Sequence, residues 1–192
     1  VLAEAKYICS GTTENTTAKI TFQHGLFLNK LIKKYGTDNA FLYLKSQKEA
    51  IEEYERLSKN IDCDYEKKDA FVYTRKNPLI IEDEVRAYEK AGIKAFYRQS
   101  LPLPFSTEGA AGVRNQAQFN PLQFLSYISK GLTIYENTKV IEIRGKHAFT
   151  ENAKITADYF VVATHFPFMN KYGGYFMKLH QERSYVIAIE NG

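Results

Sequence analysis

Between residues 39 and 59, apolar side chains recur at Phe41, Leu42, Leu44, Ala50, Ile51, Tyr54 and Leu57, with charged residues between them. The spacing is helical, with charges between, so the segment is predicted to be an amphipathic surface helix. Upstream, Ile20, Phe22, Leu26, Leu28, Leu31 and Ile32 predict a helix over residues 18–35. Gly36, followed by Thr37 and Asp38, stops that helix and caps the next. Short apolar runs predict strands over residues 1–5, 63–66, 70–74, 110–119, 132–135, 139–144 and 159–163, with a hairpin of residues 147–149 and 153–156 and a last strand over 182–190. Helices are expected over residues 81–91, closed by Gly92, and over residues 121–130, with Pro121 in the first turn. Residues 100–108, which contain Pro102 and Pro104, read as a surface loop.

The order of these elements carries information. Residues 1–5 form an apolar strand leading toward a helix, and Tyr159-Phe160-Val161-Val162-Ala163 is apolar enough for a parallel sheet covered on both faces. Between them lies mixed helix and strand. The economical reading is a discontinuous two-domain α/β protein, with residues 1–60 and 132–170 in one domain and 61–131 and 171–192 in the other.

Composition narrows the function classes. With 44% hydrophobic and 14% aromatic residues in 192, the chain has enough apolar material for a core. Twenty-six Lys and Arg against 22 Asp and Glu leave +4, and acids are interspersed among the bases. Nucleic-acid binding, which needs a clustered cationic face, is therefore not expected. Cys9 and Cys63 have no metal-ligand or disulfide-framework spacing, so no metal is expected. No apolar run approaches the roughly 20 residues of a bilayer span, and no signal peptide is evident; the expected compartment is the cytoplasm. The chain opens inside a strand without methionine, which suggests a trimmed polypeptide.

Two features point to chemistry. Glu4, at the end of an apolar strand and before a turn, stands where a nucleotide-binding fold places a carboxylate for a ribose hydroxyl; an exposed strand-end carboxylate is the plain alternative. Ser10-Gly11-Thr12-Thr13-Glu14-Asn15-Thr16-Thr17-Ala18-Lys19 offers hydroxyls and backbone N–H groups before an expected helix, which suits an anion or the polar edge of a heterocycle. A Ser/Thr-rich helix cap would look the same.

Those residues, with Gln23-His24-Gly25-Leu26 following, resemble the second-strand region of FAD-dependent oxidoreductases of the D-amino-acid-oxidase/glycine-oxidase superfamily, especially members that carry a C-terminal Rieske iron–sulfur domain. Asn137-Thr138-Lys139-Val140-Ile141-Glu142-Ile143 and Ala157-Asp158-Tyr159-Phe160-Val161-Val162-Ala163-Thr164 resemble two further family segments. The resemblance implies an FAD/NAD(P)-binding-like, Rossmann-type partial domain with an α+β substrate-domain portion, and FAD as cofactor. It implies that Glu4 binds the ribose and that Ser10, Gly11, Thr12, Thr16, Thr17 and Ala18 wrap the pyrophosphate and flavin side. Val140 would give its backbone to the adenine, and Ala163 and Thr164 would run under the dinucleotide. His165 stands where the family often has glycine.

The family's G-x-G-x-x-G does not occur in these residues, nor does a closing glycine-rich segment. The chain is therefore expected to be the middle of a longer enzyme, truncated at both ends, and to bind FAD weakly by itself. The expected activity of the whole protein is oxidation of a C–N bond in an amine or amino-acid substrate, with a Rieske-type domain in the full-length chain. Alternatives are a non-enzymatic scaffold that has lost the flavin site, or a dehydrogenase acting on a C–O bond. His180, Arg183 and Tyr185 are candidates for orienting a substrate, although His180 and Arg183 also read as a surface pair. His24 reads as a packed histidine, and His147 carries no assignment.

Overall fold

A computed structural model describes residues 1–169, 174–182, 184–185 and 187. The elements in chain order are β1 (Leu2–Ala3), β2 (Lys19–Ile20), α1 (Leu28–Tyr35), α2 (Thr37–Ser58), β3 (Glu66–Thr74), α3 (Leu79–Lys90), β4 (Ala95–Arg98) and β5 (Gly109–Gln118). They continue with α4 (Pro121–Ile128), β6 (Ile134–Tyr135), β7 (Glu142–Arg144), β8 (His147–Phe149), β9 (Lys154–Thr156) and α5 (Tyr175–Lys178). Packing divides the chain into two units, residues 9–131 and residues 1–8 with 132–192.

In the unit of residues 9–131, β5 is the central strand of an antiparallel sheet. β3 pairs along one edge, and β4 and β2 pair in tandem along the other. Alternate residues of a strand point to opposite faces. Val113 and Ala117 of β5 enter a core with Ile20, Phe22, Leu28, Ala40, Leu44, Ile51, Ala87, Tyr88 and Ala91, so α1, α2 and α3 cover that face. A second cluster joins Ile61, Cys63 and Phe124, and fastens α4 at the end of β5. This packing places residues 9–60 with residues 61–131, whereas the sequence suggested joining 1–60 to 132–170.

In the other unit, β1 pairs in parallel with β6, and β7, β8 and β9 form an antiparallel meander. The β7–β8 hairpin turns at Gly145-Lys146, with Gly145 at φ +55°, as a two-residue hairpin loop requires.

Several local expectations are corrected. Residues 18–27 are not helical: Lys19–Ile20 pairs with β5, the Phe22 N–H donates to the buried Gln116 side chain at 3.1 Å, and Gly25 takes φ +83°. Long-range pairing overrides the helical spacing there, and the helix begins only at Leu28. The two strands expected over 63–74 are one strand, β3, with a bulge between Lys68 and Ala70. β4 had no counterpart in the sequence pattern. Tyr159–Ala163 is not a strand. Tyr159 and Val161 are 91% and 92% exposed, so its apolar composition finds no sheet to join among the described residues. The strand expected over 182–190 falls largely outside the described residues.

One buried carboxylate organises the helical layer. Glu84 of α3 is 2% exposed, and its oxygens accept the backbone N–H groups of Phe27, Leu28 and Asn29 at 3.0, 2.7 and 3.0 Å. The first N–H groups of any helix lack intrahelical partners. Helix α1 has no side-chain cap of its own and no acid in its first turn, so α3 supplies both acceptor and negative charge. Beside it, the fully buried Tyr88 hydroxyl has no hydrogen-bond partner among the described residues. Burial, then the nearby Glu84 and Tyr43, hold that phenol well above its ordinary range, so it stays neutral.

Replacing Glu84 with Ala strands one buried and two part-buried donors and is expected to cost roughly 3 kcal/mol in urea unfolding. Tyr88→Phe removes an unsatisfied hydroxyl without opening a cavity and should raise stability by up to about 1 kcal/mol. A Glu84→Ala protein as stable as the parent would show that α1 does not depend on this cap.

Candidate functional site

The segment from Cys9 to Ala18 is a loop of turns leading into β2. It does not precede a helix, so the expected anion site at a helix N-terminus is not formed there. The loop instead holds itself. The Gly11 N–H donates to a Glu14 carboxylate oxygen at 3.3 Å, the Asn15 side-chain amide donates to the Gly11 carbonyl at 2.7 Å, and the Ala18 N–H donates to the Thr16 hydroxyl at 3.2 Å. At its two ends, Cys9 and Ala18 sit at φ +67° and +53°. Side-chain-bearing residues seldom adopt this left-handed region, and such strain persists only where surrounding contacts enforce it. At the far end, the Ala18 carbonyl accepts the Phe119 N–H.

This loop forms one wall of a cleft of about 310 Å³, lined by Thr12, Thr13, Thr16, Ala18 and Lys19 and, opposite, by Tyr54, Phe119, Pro121, Phe124 and Leu125. A second cleft of about 180 Å³ adjoins it and shares Lys19, Tyr54 and Phe119. The aromatic wall is continuous: Tyr54, Phe119 and Phe124 contact one another with ring centroids 5.4 to 5.7 Å apart. Asn120 fixes the approach of α4 by accepting the N–H groups of Leu122 and Gln123, and Pro121 occupies the first turn. Threonines and Lys19 stand opposite a phenyl wall, an arrangement suited to a polar edge joined to a flat apolar body. Its volume lies at the low end of ligand pockets, which run from roughly 300 to 1,000 Å³.

Of the loop residues expected to bind cofactor, Thr12, Thr16 and Ala18 line this cleft, whereas Ser10, Gly11 and Thr17 do not. Lys19 and the aromatic wall were not among the expected site residues. Tyr54 reads locally as one more position on an amphipathic helix, and only the fold brings it to the loop.

In the unit containing β1, Glu4 ends the parallel strand. Its N–H donates to the Tyr135 carbonyl and its own carbonyl accepts the Thr138 N–H. One carboxylate oxygen is tied back by the Lys6 N–H at 2.9 Å. Val140 precedes β7, half-buried, and Ala163 and Thr164 are exposed on an irregular segment. His180 and Tyr185 are exposed, and His180 lies 3.7 Å from the Glu182 carboxylate; Arg183 falls outside the described residues. His24 is exposed in a loop, against the Phe27 ring, and is not a packed core histidine.

Comparison with known proteins gives a consistent result. The family model described as FAD dependent oxidoreductase (DAO) matches residues 1–192. A Bacillus subtilis (strain 168) protein named "Putative Rieske 2Fe-2S iron-sulfur protein YhfW" is 34% identical over 203 residues, a match covering 99% of this chain and 40% of that protein. Glycine oxidase from Geobacillus kaustophilus superimposes with a TM-score of 0.62 at 17% identity, covering 84% of this chain and 47% of that one. Glycine oxidase from Bacillus cereus ATCC 14579 gives 0.51 at 18% identity, covering 80% and 46%. The chain thus spans less than half the length of each of these proteins.

Cys9 reports on the loop. Burial, and then the Glu14 carboxylate, push its thiol above the usual range, so less of it is thiolate near neutrality. Alkylation of Cys9 by iodoacetamide, followed by peptide mass mapping, should be slower at pH 8 than that of a free cysteine and should accelerate as pH rises. Glu14→Gln should speed it at fixed pH; an unchanged rate would show that Glu14 does not act on this thiol.

Proposed function

The chain belongs to the DAO family of FAD dependent oxidoreductases, and from that premise we propose that it is part of a flavoprotein that oxidises a C–N bond of an amine or amino acid. Its fold class is the one expected, an FAD-binding α/β portion with an α+β portion. The observation that carries the proposal is the family match along the whole chain, together with Glu4 at the end of a parallel strand. The glycine oxidases of similar fold support amine chemistry as the reaction class.

The residues present suit the cofactor. Glu4 presents a half-buried carboxylate steadied by its own turn, an acceptor for ribose hydroxyls. Thr12, Thr16 and Ala18 line a cleft that combines threonines, Lys19 and an aromatic wall, which suits a phosphate or flavin edge. In this proposal Ser10, Gly11 and Thr17 complete the loop's contacts, Val140 gives its backbone to the adenine, and Ala163 and Thr164 run beneath the dinucleotide. Bound FAD would supply the hydride acceptor; the protein's part is to hold and orient it. His180, Arg183 and Tyr185 stay proposed as substrate-orienting groups. Functionally, residues 1–60 with 132–170 serve FAD and residues 61–131 with 171–192 serve substrate, a division that crosses the packing units.

The Rieske cluster in the name of the Bacillus subtilis relative supports a Rieske-type domain in the full-length protein. No helix among the described residues is long and apolar enough to cross a membrane, and we place the protein in the cytoplasm.

The full-length protein, purified without added flavin, should show flavin absorbance between about 350 and 500 nm that bleaches with an amino acid or amine in the absence of oxygen. The isolated 192-residue chain should bind FAD weakly. Glu4→Ala should weaken FAD binding by full-length protein on the order of tenfold, the loss of one charge-assisted hydrogen bond. A folded, colourless full-length protein that takes up no FAD would overturn the reading.

A further inference from the structure

Helix α1 packs on the core through Leu28, Leu31 and Ile32 and leaves Lys30, Lys33 and Lys34 exposed on its outer side, where residues three and four apart are neighbours. Its last residue, Tyr35, is 53% exposed, with the Lys34 ammonium 5.0 Å from the ring centroid. Gly36, at φ +83°, turns the chain directly into α2. The first turns of α2 bury Ala40 and Leu44 but leave Phe41 and Leu42 49% and 60% exposed. Lys45, one turn further on, is exposed on the side of these two. The end of α3 reaches the same corner: a Cβ at Gly92 would stand 4.0 Å from the Phe41 ring, and the exposed Lys90 and Lys94 flank that glycine.

Residues 28–45 and 88–94 thus bring together six lysines against two acids, Asp38 and Glu89, a balance of +4 that matches the excess of the whole chain. The lysine ion pairs lie elsewhere, at Lys48, Lys67, Lys68 and Lys146, and none of the six has a carboxylate partner among the described residues. Lys33, Lys34 and Lys90 stand in the last turns of their helices, where a cation offsets the helix dipole. That account does not reach Lys45, in the middle of α2, or Lys30, which lies at the opposite end of α1 from the one a cation favours.

We propose that this corner seats the protein peripherally on an anionic lipid surface, with Tyr35, Phe41 and Leu42 entering the headgroup layer and the surrounding lysines meeting anionic headgroups. Two contributions of different kind are needed for such binding, apolar area buried at the acyl boundary and attraction to the negative surface, and both are present here. Lysine stems lie along apolar surface while their ammonium groups stay at the polar level, and tyrosine rings settle at that same level. The composition favours lipid over a protein partner: protein interfaces are enriched in arginine and depleted in lysine, and the six cations here are all lysine. The inference rests on the helical layer and does not depend on the flavin assignment.

The test is cosedimentation of the full-length protein with vesicles of phosphatidylcholine alone and with vesicles containing about 30% phosphatidylglycerol. The protein should bind the anionic vesicles at least about tenfold more tightly, and more weakly as NaCl is raised. Lys33→Gln combined with Lys34→Gln should weaken that binding about twentyfold, and Leu42→Ser about threefold, with unchanged far-UV circular dichroism because all three side chains are exposed. Equal binding to the two kinds of vesicle, or undiminished binding by either variant, would overturn the proposal. Binding to soluble polyglutamate with none to vesicles would overturn it in favour of an acidic protein surface. The vesicle comparison needs no variant, and because it reads sedimentation rather than colour or turnover its outcome is separate from that of the flavin measurement.

Discussion

The cap that Glu84 places on helix α1 is the interaction on which the larger unit turns. A carboxylate is costly to bury unless its oxygens are satisfied, and a helix start is costly to bury unless its N–H groups are. Here each cost cancels the other. The bond joins elements more than 50 residues apart, so it fixes α1 on α3 and thereby sets where Leu28, Leu44 and Tyr88 meet the sheet through Val113 and Ala117. Removing the charge would disturb that meeting point before it disturbed any strand.

From this layer follows the position of the cleft. Helix α2 is held with Ala40, Leu44 and Ile51 on the core, which leaves Phe41 and Leu42 exposed and Tyr54 at the edge to stack on Phe119 and Phe124. The strained loop from Cys9 to Ala18 runs opposite that aromatic wall, held by its own side chains and by the end of β5. A wall set by core packing and a loop set by local hydrogen bonds make a preformed groove, which suits a role in holding a cofactor in one orientation.

Strand β5 serves two surfaces at once. Val113 and Ala117 face the helices and complete the core. Gly112 and Arg114 face the other way, where the absence of a side chain at Gly112 lets Phe71 and Phe96 settle on the backbone. The alternation of one strand thus separates an apolar, covered face from an aromatic and cationic one.

Local signals in the sequence determined α2, α3 and α4 to within a few residues, the hairpin of residues 147–149 and 153–156, and Gly36 as the junction of two helices, because caps, turns and helical periodicity act over a few residues. The family was legible from the Glu4 and Gly11-Thr12-Thr13 segments, since these short runs carry their pattern without any partner. What depended on distant partners was not legible. Residues 18–27 have helical spacing, yet β5 claims Lys19–Ile20 and Gln116 claims the Phe22 N–H. The apolar run 159–163 reads as a buried strand but has no pairing among the described residues. Glu84 looks like any helix-surface acid, Lys19 and Tyr54 like ordinary positions on their own segments, and Lys45 and Lys94 like scattered charges. Only the tertiary structure decided their roles, because burial, capping and the sharing of one face are properties of pairs that the chain brings together from tens of residues apart.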